Sequence, residues 1–170
     1  PILATGLVDS AGRETYLEPF LNSLRQINGI PVQVLFTDFE GKPISGNGLE
    51  RFDARQLDWL RARIDQGVET TAIFDRPEGP ELVGVRLLRY SRTNTPEGAL
   101  VYKIGLRDLR PAPSTILAWK GQRRAAADDA SLAVPVRAPS EFAHLGLTLE
   151  ADASAFSDAL ETVSYTHLRA

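Results

Sequence analysis

The order of the segments between residues 30 and 106 constrains this chain more than any other feature. Alternating apolar residues, such as Val34 and Phe36, predict a half-buried strand at the start of this region. Short polar links join its last three strands, so we expect those strands to pair antiparallel. The predicted elements are a strand over 31–38, a short strand over 43–46, a helix over 53–66, and strands over about 69–75, 81–91 and 98–107.

The helix over 53–66 has the clearest local signals. Asp53 is a good N-cap residue, and Gln56 completes a capping-box pair with it. Gly67 supplies the stop. The residues that form the predicted inward stripe are Leu57, Leu60 and Ile64.

A second helix is predicted over residues 13–28, where apolar residues recur at intervals of three and four. Asn28-Gly29 would end it. Pro19 fits a helix start near Glu18 or a kink, and we expect a long helix with a break near this proline.

The chain beyond Pro111-Ala112-Pro113 has three apolar runs, which predict a small β-rich subdomain that ends in a short helix. We therefore expect one domain over 1–110 and a subdomain over 111–163. Residues 164–170 break the local pattern and are expected to be a non-native tail. Because the first residue is Pro1, we expect the chain to be a fragment or a processed form of a longer protein.

Composition excludes several function classes. The 170 residues carry a formal net charge of -3, so there is no basic field to attract nucleic acid, and we expect no nucleic-acid partner. Cysteine is absent, which excludes disulfides and thiolate chemistry. No phosphate loop or dinucleotide fingerprint occurs, and we expect neither a cofactor nor a metal.

These features resemble the PAS-like Cache branch of extracytoplasmic sensor domains. The resemblance rests on the leading helix, the turn Asp38-Phe39-Glu40-Gly41, the helix 53–66, the strand Glu97–Ile104 and the segment Leu145–Asp152. It implies an α+β fold, with a PAS-like antiparallel sheet flanked by a long N-terminal helix and a connecting helix. It also implies a periplasmic ligand-sensing domain of a membrane-anchored protein, with a diguanylate cyclase or histidine kinase as its output.

Three residues are the candidate ligand site. Arg86 and Tyr90 fall on one face of a predicted strand, and Tyr102 on the next strand could approach them. A guanidinium and two phenols around an apolar cavity would suit a small molecule, in particular an anionic one. Packing at the edge of the sheet is the alternative role for these residues.

Two other functions stay open. One is a small α+β enzyme that would use Asp38 or Asp75 with Arg86, although these residues fall at strand ends and in mid-strand. The other is a structural spacer that forms a homodimer through the helix 13–28.

Overall fold

The computed structural model describes residues 18–47, 52–89, 92–112, 114–122 and 131–152. The chain divides into two compact units between Asp108 and Leu109. The sequence predicts this boundary after residue 110.

The helices and strands of the described residues are taken in chain order. They are α1 (Glu18–Ser23), β1 (Gln26–Ile27), β2 (Ile30–Pro31), β3 (Gln33–Asp38), β4 (Pro43–Gly46), α2 (Ala54–Gln66), β5 (Thr70–Phe74), β6 (Glu81–Arg89), β7 (Pro96–Gly105), α3 (Leu106–Leu109), β8 (Thr115–Ala118), β9 (Ser131–Pro135), a 3-10 helix (Ser140–Leu145) and β10 (Thr148–Asp152).

Five strands of the first unit form its main sheet, in the order β4-β3-β7-β6-β5. Every neighbouring pair is antiparallel. The predicted order of a strand, a short strand, a helix and three successive antiparallel strands is therefore confirmed. The first and last strands of that series, β3 and β7, lie side by side, with Val34 opposite Tyr102.

Helix α2 covers one face of the main sheet. Its predicted capping box is present, since Asp53 Oδ1 accepts from Gln56 N at 2.8 Å and Gln56 Oε1 accepts from Asp53 N at 3.2 Å. Gly67 ends the helix in the left-handed region at φ 65°. Leu60 and Ile64 are buried against the sheet. The other buried members of this core are Leu35, Phe52, Val83, Val85, Ala99 and Val101.

A smaller core lies on the opposite face of the main sheet. Leu21 of α1 is buried there against Val32, Val34 and Phe36. Partly buried residues of β7, among them Tyr102, pack around it. The central strands are thus apolar on both faces, as expected for strands that are covered on both sides.

The prediction of a long helix that continues to residue 28 is wrong. Helix α1 ends at Ser23, and Gln26–Ile27 pairs with Ile30–Pro31 as a two-stranded hairpin. Asn28 and Gly29 have φ values of 52° and 78°, the backbone that a two-residue hairpin turn needs. Residues 13–17 lie outside the described part of the chain.

The second unit contains a three-stranded antiparallel sheet in the order β8-β10-β9. Leu149 of the central strand lies opposite Leu117 and Val134. The 3-10 helix precedes the third predicted apolar run, over 145–150, and stops at Gly146, which has a φ of 55°. The predicted terminal helix and tail lie outside the described residues.

The predicted fold class is also wrong. The described residues form ten strands in three antiparallel sheets and four helices, of which α2, with 13 residues, is the longest. This β-rich architecture conflicts with a PAS-like sheet flanked by a long N-terminal helix. In the described part of the chain, no helix has both the length and the apolar character required to cross a membrane.

Candidate functional site

A cavity of about 380 Å³ lies at one end of the main sheet. It is placed where β3 and β6 begin and β7 ends. Positively and negatively charged side chains line it, so the cavity suits a polar molecule better than an apolar one. The charged and amide side chains along its wall are Arg25, Gln33, Asn47, Glu81, Lys103 and Asp108.

Gly105 allows the carboxylate of Asp108 to approach the backbone at this end of the sheet. A Cβ atom at Gly105 would lie 2.9 Å from Oδ2 of Asp108, too close for ordinary contact. A neighbouring groove of about 220 Å³ shares Glu81, Gly105 and Asp108 with the cavity. The two spaces therefore adjoin at these three residues.

Lys103 is the most unusual side chain of the site. It is 2% exposed, because β7 turns it toward the face that α2 covers. Its Nζ atom lies 3.5 Å from Oε2 of Glu81 and 4.5 Å from the centroid of the Phe52 ring. Burial lowers the pKa of Lys103, and Arg76 adds to this effect, whereas Glu81 opposes it.

Glu81 joins the cavity to the start of α2. Its Oε2 atom accepts a hydrogen bond from Gln56 Nε2 at 2.8 Å and lies 3.8 Å from Arg76 Nε. Arg76 Nη1 in turn donates to Asp53 Oδ2 at 2.8 Å. One connected set of polar groups thus runs from Lys103 in the cavity wall to the N-cap of α2.

The structure places Arg86 and Tyr102, two of the three predicted site residues, away from this cavity. Arg86 has a 49% exposed side chain, and its Nη1 lies 3.3 Å from Oε2 of Glu69. Tyr102 lies opposite Gly84, on the same face as Arg86, and packs on the smaller core. Neither Arg86 nor Tyr102 lines the cavity. Tyr90 lies outside the described residues.

The two carboxylates of the alternative enzyme prediction do not act together: one stabilises a turn and the other is exposed. Asp38 Oδ1 accepts from the backbone N atoms of Glu40 and Lys42, at 3.0 and 2.8 Å, and so stabilises the turn after β3. Asp75 is exposed beyond the end of β5. Among the described residues, no group of three or more acidic or histidine side chains could hold a metal ion.

Sequence reasoning missed Lys103 and Glu81. A lysine in a strand is usually taken as solvent-facing. The available signal was the alternation of Ala99, Val101 and Lys103, which places the lysine on an apolar face of a strand whose other face is also apolar. A lysine on such a strand has to be partnered when it is buried.

Comparison with protein-family models, with curated proteins and with solved structures found no match to this chain.

Proposed function

We propose that the first unit is a ligand-sensing input domain, and that the cavity beside Gly105 holds its ligand. The observation that carries this proposal is a cavity of roughly 380 Å³ that is lined by cationic, anionic and amide side chains. Such a wall offers a small polar molecule charges and dipoles to bind, which an apolar molecule could not use.

The order of the elements also supports the sensor proposal. The predicted strand, short strand, helix and three successive strands are present in the first unit, whereas the leading helix, on which the resemblance to extracytoplasmic sensors also rested, ends at Ser23. That resemblance assigns the domain to the periplasmic side of a membrane-anchored signalling protein. A diguanylate cyclase or a histidine kinase is the output that it implies.

Signalling would proceed by a shift between two populated states. A ligand that binds one state more tightly stabilises that state by the difference between its two affinities. Glu81 contacts Lys103, Arg76 and Gln56 and also lines the cavity, so a ligand donor at Glu81 would compete with these groups. The start of α2 is therefore the element that we expect to respond.

Thermal-shift measurements on the purified chain test this proposal. The screen uses amino acids, small carboxylates, polyamines and nucleobases. A ligand at a hundredfold excess over its Kd should stabilise the protein by about 2.7 kcal/mol. Failure of every compound class to shift Tm would contradict the proposal and favour the spacer function.

Three arginine variants locate the site. Arg25→Ala removes an exposed cation from the cavity wall and should abolish the ligand shift. Arg86→Ala removes the arginine that the sequence suggested, and Arg61→Ala is the matched control on the outer side of α2. Loss of the shift in Arg86→Ala alone would contradict the cavity as the binding site.

A further inference from the structure

The chain has three lysines, Lys42, Lys103 and Lys120, and they differ sharply in their surroundings. Lys42 and Lys120 are exposed. Lys103 is 2% exposed and belongs to the wall of the cavity. One amine thus belongs to a buried residue that lines a defined space, whereas the other two belong to residues that are open to solution.

We propose that Lys103 is an amine site that captures small carbonyl compounds, such as a 2-oxo acid, as a reversible imine. This inference goes beyond the proposed sensing role, since it concerns the reactivity of one side chain and holds whether or not the first unit is a sensor.

The surroundings of Lys103 support this chemistry. An amine has to lose its proton before it can attack a carbonyl carbon, and desolvation favours the neutral amine. Burial lowers the pKa of Lys103 in this direction. The carboxylate of Glu81, whose Oε2 lies 3.5 Å from Nζ, is close enough to exchange a proton with it.

The reaction balances without an oxidant or a reductant. Nζ gives a proton to Glu81, and its lone pair then forms a C–N bond to the carbonyl carbon. The carbonyl π electrons move to oxygen, which takes a proton from the attacking nitrogen and becomes the hydroxyl of a carbinolamine. The nitrogen lone pair next expels this hydroxyl as water, with the proton supplied by Glu81, and the C–O bond breaks. The ammonium group and the carbonyl thereby give a protonated imine and water, and Glu81 is again a carboxylate.

The cavity also limits which carbonyl compounds can react. Its volume of about 380 Å³ leaves room for a compound of the size of a 2-oxo acid, and its wall selects among such compounds by charge. Arg25, an exposed residue of the same wall, offers guanidinium donors to a carboxylate. A 2-oxo acid therefore brings the two groups that this cavity can use, a carbonyl for Lys103 and an anion for Arg25.

Reductive trapping on the intact chain tests the proposal. The protein is incubated with pyruvate and cyanoborohydride, digested, and mapped by mass spectrometry. We expect the reduced adduct at Lys103 to exceed that at Lys42 and Lys120 several-fold. Adduct formation at Lys103 that is equal to or below that of the exposed lysines would overturn the proposal.

Two comparisons make the result specific to the folded cavity. A bulky amine reagent, trinitrobenzenesulfonate, should label Lys42 and Lys120 in the folded protein but not Lys103. In urea the three lysines should react with pyruvate alike. A preference for Lys103 that persisted in urea would come from local sequence and would contradict a role for the cavity.

Variants then separate reactivity from folding. Lys103→Arg keeps a cation beside Glu81 and cannot form the imine, so the dominant adduct should vanish while the circular dichroism spectrum is retained. Glu81→Gln should slow trapping at Lys103 several-fold and leave trapping at Lys42 unchanged. An unchanged rate at Lys103 in Glu81→Gln would contradict the proton-transfer step.

Discussion

Arg76 Nη1 lies 2.8 Å from Oδ2 of Asp53, the same residue whose Oδ1 caps α2. One carboxylate therefore fixes both the first turn of the helix and the loop that follows β5. Arg76 also lies 3.8 Å from Glu81 in the cavity wall. Ion pairs thus connect the start of α2, the loop and the cavity wall, and a substitution in one of them should perturb the other two.

Asp53→Ala should destabilise the first unit by about 1–2 kcal/mol, because it removes the N-cap and leaves Arg76 without its closest carboxylate. Urea denaturation monitored by circular dichroism measures the change. Asp58→Ala is the matched control on the same helix, where the side chain is 73% exposed and should cost under about 0.5 kcal/mol. Equal effects of the two variants would contradict the capping role.

Asn47 links α1 to β3 through both ends of its amide. Its Nδ2 lies within hydrogen-bond distance of the carbonyl oxygens of Leu21 and Val32, at 3.2 and 3.3 Å, and its Oδ1 accepts from Val34 N at 2.6 Å. Asn47→Ala should cost about 1–3 kcal/mol. Asn47→Asp should cost more at neutral pH, although it keeps the shape, because it sets a carboxylate against carbonyl oxygens. Denaturation curves of the two variants give the comparison, and the reverse order would contradict this assignment.

Gly84 and Tyr102 form a cross-strand pair in which the ring occupies the space of a side chain at position 84. Gly84→Ala should destabilise the unit by about 1–3 kcal/mol, since a methyl group would overlap the ring. In a Tyr102→Ala background, the same substitution should cost much less. A double-mutant cycle measures this coupling, and additive effects would show that the ring is not the cause.

Elements with local signals could be predicted from the sequence. The helix over 53–66 was located to within one residue, because its capping box and Gly67 act within one turn of the chain. Asn28-Gly29 was read as a helix stop, yet the same dipeptide is also a strong hairpin signal. The structure shows a hairpin, because Gln26–Ile27 pairs with Ile30–Pro31. The residues next to the turn do not by themselves reveal this pairing.

The site was less predictable because it depends on register. Arg86 and Tyr102 were expected to line a pocket, and the strand alternation did place them on one face. That face carries the smaller core, whereas the cavity is formed by strand ends that meet only once the sheet has assembled. The contacts that join Glu81 to Gln56 and Lys103 span more than twenty residues of sequence, beyond the reach of a periodic pattern.

The buried lysine predicts a dependence of stability on pH. Because burial lowers its pKa, Lys103 holds its proton less tightly in the folded protein than in the unfolded chain, so unfolding takes up protons between the lowered and the ordinary value. The contribution of Lys103 to the free energy of unfolding should therefore rise with pH across that interval. Of the charged groups around Lys103, Arg76 also lowers its pKa, whereas Glu81 and Asp53 raise it. Urea denaturation of the wild type and of Lys103→Met, between about pH 7 and pH 10, gives the difference and cancels the titration of all other groups. A difference that stayed constant or fell with rising pH would mean that the charged form is the one that the fold stabilises.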